Sequence, residues 1–129
     1  MDEHPNVDLM RRGYAAFEAG DMATVGELFA DDIVWHANGV GPLSGDHVGK
    51  DAVMGFFGAL VSRATLRQDL HDIVANDEHA VVLVRSHAER PDGATLNDDN
   101  IHVWHVRDAK ATEFWGFSTD PDAANAFWA

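Results

Sequence analysis

The sequence predicts an α+β fold, a cone-shaped α+β barrel in which three N-terminal helices pack on a curved, mostly antiparallel sheet and enclose a pocket. Helical periodicity dominates the first half of the chain, strand-like segments parted by turn residues fill the second, and no repeat interrupts either. At 129 residues with 46% hydrophobic composition, the chain suits one domain over residues 1–129 and buries about two-thirds of the surface its unfolded form exposes.

From Asn6 to Ala19, the apolar positions Val7, Met10, Tyr14 and Phe17 recur at three- and four-residue steps, which predicts a helix with one buried stripe, stopped by Gly20. Asp21 is placed to cap a second helix that carries Met22, Val25, Leu28 and Phe29 and ends at Asp31-Asp32. Ile33 to Ala37 reads as a short strand. Gly39 to Gly49, with four glycines and Pro42, reads as an irregular excursion able to edge a pocket. A third helix runs from about Lys50 to Ser62, with Val53, Phe56, Phe57, Leu60 and Val61 on its core face. Strands follow at Leu66 to Val74, at His79 to Glu89, and in a two-part segment from Asn100 to Asp120 folded about Arg107-Asp108-Ala109-Lys110. Asn76-Asp77-Glu78 and Pro91-Asp92-Gly93 supply the turns between them. Asp120-Pro121-Asp122 has the form of a helix start, with Asp as cap and Pro in the first helical position, leading to a short terminal segment that reaches Trp128.

Composition removes several classes of function. A formal net charge of −13 makes nucleic acid and an anionic membrane unexpected partners, because like charge repels before contact forms. The chain has no cysteine, hence neither disulfides nor a thiolate site, and Met-Asp-Glu-His-Pro-Asn lacks the basic and apolar regions of a signal peptide, so cytoplasmic residence is expected. No apolar run approaches the roughly 18 residues that cross a bilayer. Histidine is plentiful, but no His-x-His or helical His-x-x-x-His spacing occurs, and His102 and His105 face opposite ways on a strand; no metal is expected. The glycines between Gly39 and Gly49 lack the lysine-serine or lysine-threonine pair of a phosphate loop, so no cofactor is expected either.

Alternation sorts the segment from Asn100 onward by face. Asn100, His102, Trp104 and Val106 share one side, and Ile101, Val103 and His105 share the other. Val81, Leu83, Val103, Trp115 and Phe117 form an outer apolar patch whose size predicts a homodimer through the outer sheet face. Glu113 faces outward as well, where Arg85 or Arg107 is its expected cross-strand partner.

Three ordered segments carry a family likeness: Ala19-Gly20-Asp21 running to Leu28-Phe29-Ala30-Asp31-Asp32, then Gly49-Lys50-Asp51-Ala52-Val53 leading to Phe56-Phe57, then His102-Val-Trp-His-Val-Arg-Asp with Lys110-Ala-Thr-Glu-Phe-Trp. Together they resemble the nuclear transport factor 2-like superfamily, and within it the SnoaL-like branch of polyketide cyclases and relatives. That superfamily hosts isomerases, dehydratases, cyclases, hydrolases and inert binding domains, so only pocket residues can choose among them. The resemblance to its ketosteroid isomerases puts Gly13 at the tyrosine position, with Tyr14 one residue later, Ala37 at the base and His102 at the protonated aspartate, which disfavours that chemistry. The resemblance to SnoaL-like cyclases aligns His102 with their histidine, but Glu113-Phe114-Trp115 is followed by Gly116 where they carry the aspartate that takes a proton from carbon.

The resemblance and strand parity together imply a site. His102, Asp72 and Asp120 are its candidate catalytic residues, and Tyr14, Trp35, Ala37, Trp104, Phe114, Gly116 and Ser118 its expected pocket lining. His102 is either an acid–base group or a satisfied core imidazole. Asp72, opposite in face to His71, could share the interior with His102; Asp120 is either the nearest carboxylate beyond Gly116 or the cap of the terminal helix. Trp35 and Trp104 are core filler or a ligand platform, Tyr14 needs a partner for its hydroxyl, and His36 reaches the pocket only if its strand bulges. Two functions fit: proton-transfer chemistry of the isomerase, cyclase or dehydratase type on a small apolar molecule, or a non-catalytic binding or structural dimer. A carboxylate within hydrogen-bond reach of His102 would favour the first.

Overall fold

The computed structural model describes residues 3–129. Helix α1 (Pro5–Glu18) begins where His4 accepts the Asn6 N–H through Nδ1 at 3.1 Å, with Pro5 spending no backbone donor in the first turn. The buried Asn6 side chain donates to the carbonyls of Asn76 and Asp77 at 2.9 and 3.2 Å, which ties this end of α1 to a turn between two strands. Asp21 caps α2 (Met22–Leu28) by accepting the Thr24 N–H at 3.2 Å.

The second helix is shorter than its sequence suggests. Phe29 leaves helical geometry (φ −99, ψ 140) and opens β1 (Phe29–Ala37) instead of extending α2 to Asp31-Asp32. Tertiary pairing overrides local preference here: Phe29 lies opposite Ala111 of β6 (Lys110–Ser118), and its ring meets Trp35, Phe57 and Trp104 at 5.9–6.1 Å between centroids. The excursion after β1 is also more ordered than expected, since β2 (Gly45–Val48) pairs antiparallel with β1 along the sheet edge. Helix α3 (Lys50–Arg63) follows, then β3 (Thr65–Ala75), β4 (His79–Glu89) and β5 (Thr95–Arg107), and α4 (Pro121–Trp128) ends the chain. Strand β5 starts five residues before Asn100, because its polar stretch continues the β4 ladder as far as Glu89 opposite Thr95.

The six strands run in the order β2-β1-β6-β5-β4-β3, and β1–β6 is the parallel pair in an otherwise antiparallel sheet. The expected α+β cone is the observed architecture, but its sheet does not close into a barrel; β2 and β3 remain edges. Helices α1, α2 and α3 pack on the face that buries Val82, Val84, Trp104, Val106 and Phe114 against Leu9, Met10, Leu28, Val53 and Phe57. Ile33, Val53 and Val82 are 0% exposed, and burial of each such side chain stabilises the fold by about 1.5–3 kcal/mol. A second, smaller cluster of Ala64, Ala88 and Phe127 seats α4. Among the described residues no helix is long and apolar enough to cross a membrane.

One irregularity decides which side chains enter the interior. In β3 the register steps from Leu70 opposite Val84 to Asp72 opposite Leu83, leaving His71 as the extra residue of a bulge. Side chains beyond it switch faces, so Ile73 and Ala75, rather than Asp72 and Val74, point at the core.

Candidate functional site

A cavity of about 80 Å³ lies between the sheet and the three helices, walled by Tyr14, Phe57, Trp35, Trp104 and Phe114, with His102 in its lining. The aromatic side chains form a continuous wall: Trp35 stacks on Phe114 with 3.7 Å between centroids, and Trp104 meets Phe114 and Trp35 edge-on at 4.7 and 5.4 Å. Its polar lining among the described residues is limited to Tyr14, Gln68, His102 and the indole N–H groups of Trp35 and Trp104, and none of their Asp, Glu, Lys or Arg side chains borders it.

Three polar side chains form a chain at the wall. Trp104 Nε1 donates to the Tyr14 hydroxyl at 3.2 Å, and that hydroxyl lies 2.5 Å from His102 Nδ1. An indole N–H can only donate, so the Tyr14 oxygen accepts from Trp104; the hydroxyl proton has no acceptor among the described residues other than His102 Nδ1, which assigns Tyr14 as the donor to Nδ1. His102 is then the neutral tautomer that carries its proton on Nε2. No side-chain N or O atom among the described residues is sealed without a partner, and Nε2 makes no hydrogen bond, so this N–H opens to the cavity. Burial pulls the His102 imidazole down to about 4. Burial also pushes the Tyr14 hydroxyl above the ordinary tyrosine range, against a smaller opposing effect of the Trp104 hydrogen bond. Both charged forms, imidazolium and tyrosinate, are therefore disfavoured at neutral pH.

Across the β5–β6 ladder His102 faces Gly116. A Cβ on Gly116 would sit 3.0 and 3.1 Å from Phe114 Cζ and Cε1, and 3.6 Å from His102 Cδ2. The phenyl ring of Phe114 thus takes the space that a side chain at 116 would need.

Residues 10–114 match the SnoaL-like domain. The chain belongs to the SnoaL-like family. An uncharacterised protein of Mycobacterium bovis is 32% identical over 132 aligned residues, covering 100% of both chains. Bal32a, from a soil-derived mobile gene cassette, superposes with a TM-score of 0.91 at 31% identity over 96% of each chain. TerC, co-crystallised with polyporic acid, shares the fold with a TM-score of 0.87 at 21% identity, over 96% of this chain and 98% of its own.

In this SnoaL-like domain the expected site residues divide sharply. Tyr14, Trp35, His102, Trp104 and Phe114 are brought together around the cavity. Tyr14 stands one residue from the position the isomerase resemblance assigns to a tyrosine, yet its hydroxyl reaches His102. Gly116 adjoins the site through its contacts with Phe114 and His102. Ala37 borders a separate cavity beside α3 and α4. Ser118 shares the interior face but donates to Asp98 Oδ2 at 2.6 Å. The remaining two expectations need correction. Asp72 is exposed on the outer face, turned away by the His71 bulge, and accepts the Ile73 N–H at 2.8 Å. Asp120 is the cap of α4, accepting the Ala123 N–H at 3.2 Å.

Sequence reasoning missed two polar clusters. Asp98 is 7% exposed, and its carboxylate accepts from Asn100, Ser118 and Thr119 at 3.0, 2.6 and 3.4 Å. Its even spacing from His102 was a signal that it shares the interior face. On the outer face, His36 stacks on Trp115 and places its ring nitrogens 2.7 Å from Asp46 and 2.6 Å from Glu113. Glu113 also approaches His105 at 3.4 Å, so its partners are histidines rather than Arg85 or Arg107; Arg107 lies 3.6 Å from Asp32. Those carboxylate contacts raise His36 above the ordinary histidine range, Glu113 most of all. Among the described residues no group of three or more His, Asp or Glu is placed to hold a metal ion.

Proposed function

We propose that this SnoaL-like domain binds a small apolar molecule and orients it by one hydrogen bond, from the neutral His102 Nε2–H to a carbonyl or similar acceptor oxygen. The observation that carries this reading is the Trp104–Tyr14–His102 chain, which occupies the Nδ1 lone pair and leaves a donor, not a base, directed into an apolar cavity. Proton abstraction from carbon needs a basic group near neutral pH. Asp72 and Asp120 lie elsewhere, and Gly116 supplies none.

The probe cyclopentanone tests the reading, since it pairs a small apolar body with one carbonyl, on the scale of a cavity of about 80 Å³. Titration followed by fluorescence is expected to give an affinity that is unchanged from pH 5.5 to 8, because His102 stays neutral across that range, with its value held at about 4. His102→Gln should weaken binding about tenfold, the worth of one well-placed hydrogen bond. An affinity insensitive to that substitution would reject the role of His102.

The second reading is proton-transfer chemistry by the isomerase, cyclase or dehydratase route, and its support is the His102 ring edge open to the cavity. It expects turnover of a carbonyl compound lost in both His102→Gln and Tyr14→Phe. We also assign the outer sheet face to a second copy of the chain: Ile101 and Phe117, paired across β5–β6, are 40% and 46% exposed, and Val74 is 63% exposed. A monomeric mass by light scattering at micromolar concentration would reject that assembly.

A further inference from the structure

A second cavity, of about 150 Å³, lies between the segment from Ala37 to Ser44, helix α3 and helix α4. Leu60 borders both this cavity and the one that holds His102. The two spaces also share an aromatic wall, in which Phe56 of the second meets Trp35 and Phe57 of the first at 5.9 and 5.8 Å.

We propose that the second cavity is the outer half of one elongated binding site. It takes a neutral hydroxyl-bearing end of a ligand whose apolar body fills the inner half, and Leu60 sets the passage between them. The inference rests on the small-molecule reading given above and adds the shape and polarity of the ligand.

The polar inventory of the outer cavity points to that chemistry. Asn38 commits Nδ2 to the Gly116 carbonyl, and Asn125 commits Oδ1 to the Val40 N–H at 3.3 Å. Asn38 Oδ1 and Asn125 Nδ2 have no partner among the described residues, which leaves one amide acceptor and one amide donor beside the same space. A hydroxyl group both donates and accepts, so it can satisfy the pair. A carboxylate or phosphate cannot: no Lys, Arg or His borders the cavity, and the chain carries a net charge of −13.

The outer walls are also fixed in advance of binding. Gly39 (φ +106) allows the loop to lie against α4, since a Cβ there would fall 2.7 Å from Asn125 Oδ1. From the other side Arg90 donates to the Phe127 carbonyl at 2.8 Å and lies over the Phe127 ring. Each amide is held by one hydrogen bond to backbone before a ligand arrives, although Asn38 itself is exposed, and this lowers the ordering cost of recognition.

Two probes on the full chain separate the halves: cyclopentanone for the inner cavity, and its 3-(4-hydroxybutyl) derivative for both. The longer probe is expected to bind at least tenfold more tightly to the native protein. Ala124→Trp, at a residue that borders the outer cavity and not the inner one, should remove that advantage while changing short-probe affinity less than threefold. Asn125→Asp keeps the oxygen that holds Val40 and loses the amide donor, so it should reduce the advantage severalfold in a protein with unchanged thermal unfolding. Should Ala124→Trp fail to fold, Asn125→Asp alone carries the comparison. Equal affinities of the two probes, or an advantage that survives Asn125→Asp, would overturn the outer subsite and leave the inner reading standing. A void left only by imperfect packing of α4 predicts that equality. Failure of both probes to bind overturns both readings, and a short probe indifferent to His102→Gln overturns the inner one alone.

Discussion

Gly116 stands where the family resemblance expects a carboxylate, and its lack of a side chain is matched by its surroundings. The Phe114 ring that a new Cβ would strike at 3.0 Å is itself stacked on Trp35 and edged by Trp104 and His102, so it has little room to yield. Gly116→Ala should therefore destabilise the protein by about 1–3 kcal/mol, the usual cost of overpacking. Phe114→Leu made in the same chain should recover part of that loss, and urea unfolding of the two single variants and the double variant measures the coupling. Strict additivity would show that Gly116 and Phe114 do not compete for space. Strand parity together with the family resemblance was enough to place Phe114, Gly116 and Ser118 on the face of His102 and Trp104. It could not reveal that one ring fills the space of its neighbour, because that depends on a side-chain rotamer. Nor could spacing separate the two readings of Asp120; its contact with the Ala123 N–H does.

At the scale of elements, the β5–β6 hairpin holds local strain that the sequence already shows. Its two turn residues, Asp108 and Ala109, have φ of 52 and 60, the left-handed pair that a two-residue hairpin of this twist requires. Aspartate tolerates that conformation; alanine does not. Left-handed geometry costs an alanine about 1–2 kcal/mol, whereas glycine loses about 0.4–1 kcal/mol more chain entropy on folding. The first effect is larger, so Ala109→Gly should raise stability by about 0.5–1 kcal/mol, read as a higher urea midpoint with unchanged slope. A lower midpoint would mean that the turn is not strained at Ala109. Helix α1 and β4 were legible because their apolar periods match their buried faces, whereas in α3 Val61, expected on the core face, lies 54% exposed near the end of the helix, beyond the reach of the sheet. Strand β3 was less so, since the His71 bulge reverses its faces midway and a uniform alternation drawn through it puts Asp72 on the wrong side. The early end of α2 was hidden for a different reason: Phe29 is drawn into β1 by partners distant in sequence, Ala111 and Trp104.

For the whole molecule, two histidines on opposite faces of one sheet set opposite limits on stability as pH changes. His102 has an imidazole near 6.5 when unfolded and about 4 when folded, so between those values the unfolded chain binds more protons and stability falls as pH falls. By pH 5 the expected loss is about 2 kcal/mol, from about 1.36 kcal/mol per pH unit of differential binding. His36 works the other way. Asp46 and Glu113 raise it above its ordinary 6.5, so the stabilisation it gives is complete below that value and is lost as pH rises through the elevated one. Self-repulsion of a chain with net charge −13 adds to the alkaline loss. Stability should therefore peak near pH 6.5, and urea unfolding at pH 5, 6.5 and 8.5 measures both limbs. His102→Gln is expected to flatten the acid limb and leave the alkaline one, whereas His36→Gln should do the reverse. If the acid limb persists in His102→Gln, another group titrates there, and a neutral, buried His102 no longer describes the cavity. If it flattens, the site proposed to bind through an uncharged imidazole is also the site that makes the fold sensitive to acid, because both follow from taking one histidine out of water without giving it a carboxylate.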